Sequence, residues 1–162
     1  TIIEKVTIPI TYSAIGYDLA RYVLVDHIEY GFHSYPLRST MQFENLIDKI
    51  FDQETIDNIL WTELQNSPNP EHQTTSGNST KDRLFVLSYD EAVKYLPNDN
   101  SRQIKLLTSG KSCSWWLRTA GLNGGYAMYV HEDGSFDYKG DPVFVLSDRI
   151  SVRPALWMDI SE

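Results

Sequence analysis

The stretch Ser114–Gly140, SWWLRTAGLNGGYAMYVHEDGSFDYKG, decides how the rest of the chain is read. Two adjacent tryptophans run into an arginine, and the chain then loosens into glycines, tyrosines and acids. Successive side chains of an extended segment point to opposite faces, so Trp115 and Trp116 face apart and at least one belongs to a core. Asp133-Gly134 falls between the runs Ala127–His131 and Ser135–Tyr138. Glycine supplies the positive φ of a tight turn, so this segment is expected to be a β-hairpin. Alternation along its first strand puts Ala127, Tyr129 and His131 on one face, with Met128 and Val130 directed inward.

Outward from the hairpin, the pattern changes character. Val143–Leu146, a turn at Ser147-Asp148 and Ile150–Met158 read as a further strand pair. Upstream, Arg83–Leu87 reads as a short buried strand, and Ser88-x-x-Glu91 as a capping box opening a helix that Pro97 ends. Asn66–Lys81 (NSPNPEHQTTSGNSTK) is almost wholly polar and turn-forming, which predicts a surface loop. Before it, Ser39-Thr-Met-Gln42 caps a helix carrying Phe43, Leu46, Ile47 and Ile50 on one face. Asp52 caps a second helix whose apolar face runs Ile56, Ile59, Leu60 and Leu64, with Pro68 and Pro70 beyond it. Val6, Ile8 and Ile10 alternate as a half-buried strand, at a sheet edge because Pro9 has no N–H to donate. Arg21–Tyr30 is a second strand by its β-branched and aromatic content. The sum is an α+β chain forming a single domain over 1–162, with N-terminal strands in 1–36, a helical half in 37–97 and a strand and loop half in 98–162.

Bulk properties exclude several functions. The 162 residues are 41% hydrophobic and 22% charged, enough for one well-formed core. Fourteen basic residues against 22 acidic ones leave a net charge of −8, which repels phosphate backbones and argues against nucleic acid as a partner. No apolar run approaches the roughly 18 residues of a membrane span, so no direct membrane insertion is expected. The segment shows no signal peptide, so the chain is either cytoplasmic or, the favoured expectation, a piece of a longer exported or surface chain. The single Cys113 allows no internal disulfide and no multi-cysteine metal site, and reads as a buried thiol.

Four blocks, DRLFVLSYDEAVKYL (Asp82–Leu96), WWLRTAG (Trp115–Gly121), AMYVHEDGS (Ala127–Ser135) and SVRPALW (Ser151–Trp157), occur in that order. Together they resemble the signature of a bacterial domain family of unknown function. That family carries W-W-L-R-S-P-G, A-Y-V-x-x-D-G-S and a terminal G-V-R-P-A-L. The likeness covers about Leu37 to Trp157. Thr119-Ala120 stands where the family has Ser-Pro, and Ser151 where it has Gly. The helix after Leu37-Arg38 lacks the family's Trp-Leu-Asn. More distantly, the blocks are similar to the C-type-lectin-like fold, in the variant shared by formylglycine-generating enzymes and the variable proteins of diversity-generating retroelements. This resemblance implies helices, small twisted antiparallel sheets and a loop-rich binding region. Within it, Trp115, Trp116, Arg118 and Arg153 are motif residues. The two arginines are expected to be structural, forking hydrogen bonds to loop carbonyls or to carboxylates such as Asp82. Anion capture by the pair is the competing reading.

The chemistries associated with that fold find little support in the residues. A formylglycine generator needs two reactive cysteines, and an iron oxidase a histidine cluster. Here His27, His33, His72 and His131 are scattered, and no metal site or cofactor is expected. No G-x-S-x-G elbow presents a nucleophile. The sugar-binding tripeptides of calcium lectins are missing. Asp133, Asp137 and Asp141 recur every four residues, unlike the alternating ligands of an EF-type loop. Leu122–Ser147 is instead rich in tyrosine, glycine, asparagine, aspartate and serine, the mixture that suits paratopes because aromatics give area at small entropic cost. The expected ligand-binding residues are Asn123, Tyr126, Tyr129, His131, Tyr138, Lys139 and Asp141. Tyr126, His131, Asp133, Tyr138 and Asp141 are also products that retroelement mutagenesis of asparagine codons can yield. The function expected is a non-catalytic recognition module of a bacterial or prophage surface or exported protein, its ligand a surface protein or glycan. An enzyme on the same fold and a structural or assembly domain are the alternatives.

Overall fold

The computed structural model of the chain describes residues 3–7, 47–48, 51–105, 110–142, 150–151 and 153–159. The expected strand Arg21–Tyr30, the Ser39 capping box and the run Val143–Leu146 lie outside them. The described chain combines short helices with small, mainly antiparallel sheets, an α+β arrangement. Strands β1 (Ile3–Thr7), β10 (Pro154–Asp159) and β4 (Phe85–Val86) make one sheet in the order β1-β10-β4, with Lys5 opposite Trp157 and Ala155 opposite Phe85. A second sheet contains β5 (Ile104–Lys105), β6 (Ser112–Ala120), β7 (Tyr126–Val130) and β8 (Phe136–Pro142), and β9 (Ile150–Ser151) pairs parallel with β6. The run Ile150–Met158 is therefore two strands in two sheets rather than one.

The helix α1 (Gln53–Asp57) begins where expected, with the Asp52 carboxylate accepting from the Thr55 N–H at 2.8 Å. That bond holds the Asp52 carboxyl below its usual range. The helix is shorter than its apolar pattern suggests. Ile59 bridges to Met158, Leu60 N–H donates to the Trp157 carbonyl at 2.9 Å, and Leu64 ends strand β2 (Thr62–Leu64). Ile59 and Leu64 are buried there, and hydrogen bonds to the β10 backbone hold the segment extended. Strand β2 pairs with β3 (Thr80–Asp82), so the expected helical half of the chain holds strands as well.

The polar segment between β2 and β3 runs largely over the surface, yet Asn69 and Ser76 are wholly buried. The Asn69 amide donates to the carbonyls of Ala120 and Tyr138, each at 2.8 Å, while its oxygen accepts from the N–H groups of Glu71 and His72 at 2.9 and 3.0 Å. Ser76 Oγ accepts from the Ala120 N–H at 3.0 Å. Both ends of an otherwise solvated loop are thus tied to the β6–β8 sheet.

The capping box at Ser88 forms with both reciprocal bonds and opens α2 (Tyr89–Tyr95). A further short helix, α3 (Asp99–Arg102), delivers Arg102 to the interior. Its guanidinium donates to the carbonyls of Gly134 (2.7 Å) and Leu96 (2.8 Å), pairs with Asp99 and lies 4.3 Å over the Phe136 ring. The Arg102 carbonyl in turn accepts from Trp115 Nε1 at 2.9 Å. Around these groups Leu64, Phe85, Leu87, Ile104, Trp115, Leu117, Met128 and Val130 form the core, with Tyr89, Phe136 and Tyr138 packed against it.

Both tryptophans of the quoted stretch are buried. Arg118 lies in the interior with them, donating to Asn66 Oδ1 and the Val86 carbonyl, both at 2.8 Å, and to the Gln65 carbonyl at 2.9 Å. Its carboxylate partner is Glu91, on α2, and not the Asp82 suggested by the sequence. Placing the Ser88–Glu91 cap beside β6 brings Glu91 to the guanidinium. Arg153 stacks 4.8 Å over Trp115 and donates to the Arg102 carbonyl at 3.2 Å. Burial lowers its pKa to about 10. Cys113 is buried, and that burial raises its thiol pKa.

Candidate ligand-binding site

The hairpin β7–β8 turns through Glu132-Asp133-Gly134. Gly134 N–H donates to the His131 carbonyl at 3.0 Å, and His131 N–H to the Ser135 carbonyl at 2.8 Å. Gly134 has φ +89°, and a Cβ there would stand 2.0 Å from the Asp99 carbonyl oxygen. Asp133 Oδ1 accepts from the N–H and hydroxyl of Ser135 at 2.9 and 2.7 Å, which keeps its carboxyl below the usual range. Further along, the β7–β8 register shifts between Ala127 and Tyr129. Gly140 (φ +72°) occupies the bulge, with its N–H donating to Asp137 Oδ1 at 2.7 Å.

This register sorts the expected ligand-binding residues into three places. Tyr129 and His131 lie on the sheet face shared with Trp116, with ring centroids 6.0 Å apart for Trp116–Tyr129 and 4.9 Å for Tyr129–His131. Tyr138 lies on the opposite, core-facing side, its ring 5.5 Å from that of Tyr89 and its hydroxyl 3.3 Å from Tyr89 Oη. The hydrogen bond to Tyr89, with burial, raises the Tyr138 pKa to about 12. Asn123, Tyr126, Lys139 and Asp141 gather at the far end of the hairpin. There Asn123 Oδ1 accepts from Gly125 N–H at 2.8 Å, and the Lys139 carbonyl accepts from Leu122 N–H at 2.7 Å. Five residues of strand separate Tyr126 from His131, roughly 17 Å. One small ligand does not reach both ends, whereas a macromolecular surface does.

At the turn end, His131 Nε2 lies 3.2 Å from Asp137 Oδ2. Asp137 stands opposite Tyr129 in the register, so the sequence's own turn signal placed it beside His131, a neighbour that composition alone did not single out. Ser114 joins them from β6. The register Trp115↔Val130 continues to set Ser114 across from His131, with both on the Tyr129 face. Ser114, His131, Glu132, Asp133 and Ser135 line an open depression of about 530 Å³. Glu132 and Asp133 are exposed, and among the described residues the lining holds no Lys or Arg. Among the described residues, no group of three or more His, Cys, Asp and Glu is placed to hold a metal ion.

Helices interleaved with small antiparallel sheets, an arginine and two tryptophans at the interior and a polar hairpin outside define the class as an α+β domain. The chain belongs to the family described as a domain of unknown function, DUF6273, which matches residues 37–160. No curated protein and no solved structure shows significant similarity to it.

Proposed function

We propose that the chain is a non-catalytic recognition module with a C-type-lectin-like fold, carried by a bacterial or prophage protein that is exported or displayed at the surface. Its ligand is a protein or a glycan, bound along the loop and hairpin that begin at Leu122. The observation that carries this reading is the way the hairpin's backbone is fixed. Asn123, Asp133 and Asp137 each accept a hydrogen bond from a backbone N–H two or three residues on, and Asn69 ties the Tyr138 carbonyl from behind. A polar surface already held in one conformation loses little entropy on binding. Arg118 of the tryptophan–arginine block, by contrast, spends its donors within the fold. Diversification of the hairpin fits the exposed or partly exposed Tyr126, His131, Asp133 and Asp141 better than Tyr138, whose ring packs on the core.

The test is a binding screen of the domain against glycan and surface-protein panels, with calcium and with chelator. It is run beside a folded Asn123→Ala, Tyr129→Ala, Lys139→Ala variant. Chelator-resistant binding that the variant loses is the expected result. Binding that needs calcium, or that survives the triple substitution, overturns the assignment of this face.

A further inference from the structure

The interior arginines are not all compensated alike. Arg102 and Arg118, both buried, each face a carboxylate, that of Asp99 and that of Glu91. Arg153, the arginine of the closing family block, has no such partner among the described residues. It reaches from the junction of β9 and β10 across the Trp115 indole, where Nη1 donates to the Arg102 carbonyl at 3.2 Å. That carbonyl also accepts the shorter bond from Trp115 Nε1. Arg153 Nε is buried and has no hydrogen-bond partner at all. With a pKa of about 10 the group is still a cation at pH 7. Its titratable neighbour Cys113 gives no counter-charge there, because burial raises the thiol pKa and keeps the sulfur neutral. Buried charges in folded proteins are ordinarily paired, since an unpaired one forfeits its hydration without return.

A guanidinium offers its donors in forks. In Arg153 Nη1 is engaged, and the side edge formed by Nε and Nη2 makes no hydrogen bond among the described residues. The residue is partly exposed, so this edge is approached from its Nη2 end. Two parallel N–H donors sharing one positive charge match the two oxygens of a carboxylate. One cation balances a monoanion, and the negative charge of Glu132, felt at neighbouring Cys113, opposes a dianionic phosphate. We infer that the Nε–Nη2 edge of Arg153 binds a carboxylate group of a ligand. Arg118 has no share in this, because its donors are spent on Asn66, Val86, Gln65 and Glu91. The edge lies with Trp115, on the side of β6 opposite Trp116, Tyr129 and His131, and so is separate from the hairpin face. The same carboxylate chemistry comes from a uronic acid or from an acidic amino-acid residue, and the experiment below tells them apart.

The experiment is a nitrogen–proton chemical-shift titration of the whole chain, at ionic strength held constant with sodium chloride. It follows the Arg153 Nε–H and Trp115 Nε1–H resonances. The probes are glucuronate and N-acetylglutamate amide, their neutral counterparts glucose and N-acetylglutamine amide, and inorganic phosphate. Saturable shifts of both resonances with at least one carboxylate are expected, with none from the neutral counterparts and weaker binding of phosphate. Arg153→Lys keeps the charge and removes the fork, and it should weaken binding about tenfold or more. Its fold is checked by the near-ultraviolet circular dichroism of the buried tryptophans. Should that variant not fold, the neutral counterparts decide alone on the wild-type chain. A response to glucuronate only assigns a sugar acid, to the glutamate compound only an acidic polypeptide residue, and to both the carboxylate by itself. Arg153 Nε–H unmoved by either carboxylate, equal response to the neutral counterparts, tighter binding of phosphate, or full affinity in folded Arg153→Lys each overturns the site. None of these results touches the hairpin face, which the panel screen tests on its own.

Discussion

Replacing Arg118 by methionine tests the claim that the arginine of the W-W-L-R block is architecture. Methionine retains much of the aliphatic stem and removes every donor. Three oxygens lose a hydrogen bond, those of Val86, Gln65 and Asn66, and Glu91 loses its guanidinium. Removing one partner of a buried ion pair costs about 3–5 kcal/mol. Glu91 is 22% exposed and still accepts from Ser88 N–H, so hydration offsets part of this. The expected loss is about 3 kcal/mol, which lowers Tm by roughly 6–12 °C in a domain of this size. Urea unfolding followed by the fluorescence of buried Trp115 and Trp116 measures it, with the m-value preserved. The second arm is Glu91→Gln, which keeps an acceptor for the capping box and removes the charge. In the Arg118→Met background it should restore about 1 kcal/mol, whereas in wild type it should destabilise. A loss below about 1 kcal/mol for Arg118→Met, or additive effects of the two substitutions, would refute the reasoning.

Three further outcomes are expected. Asn69→Asp should destabilise more than Asn69→Ala, because it sets a carboxylate against the carbonyls of Ala120 and Tyr138; the alanine should cost about 2–4 kcal/mol, and faster amide exchange at Glu71 and His72 would locate the damage. Gly134→Ala combines an unfavourable φ with a backbone overlap at Asp99, and a loss of about 2–3 kcal/mol in thermal unfolding is expected; an unchanged Tm would mean that the turn and α3 are not packed as described. The raised pKa of Tyr138 makes its contribution to stability complete below pH 10 and progressively lost as pH rises from 10 towards 12, so wild type should lose more stability between pH 9 and 11 than Tyr138→Phe does, in parallel urea titrations.

The candidate site was legible in part. The turn at Asp133-Gly134 and the alternation of Ala127, Tyr129 and His131 follow from local chemistry, and His131 with Tyr129 sits where alternation puts it. Tyr138 was grouped with them on composition, but it lies opposite Met128 in the register before the Gly140 bulge and so falls on the core side. Ser114 carried no signal, because its position across from His131 depends on the pairing of β6 with β7.

What the sequence determined by itself is local: the caps at Asp52 and Ser88 and the hairpin turn at Asp133-Gly134. Each depends on side chains within a few residues of the backbone groups they satisfy. Tertiary structure decided the rest. Whether Ile59–Leu64 is helix or strand depends on β10, far along the chain, whose carbonyl at Trp157 takes the Leu60 N–H. The partner of Arg118 depends on where α2 docks, and Arg102 and Asn69 are buried polar hubs because backbone carbonyls from other elements converge on them, the hairpin turn and the end of α2 for Arg102, and β6 and β8 for Asn69. A hydrogen-bond acceptor remote in sequence leaves no trace in local periodicity, and in this chain such acceptors position the interior polar side chains.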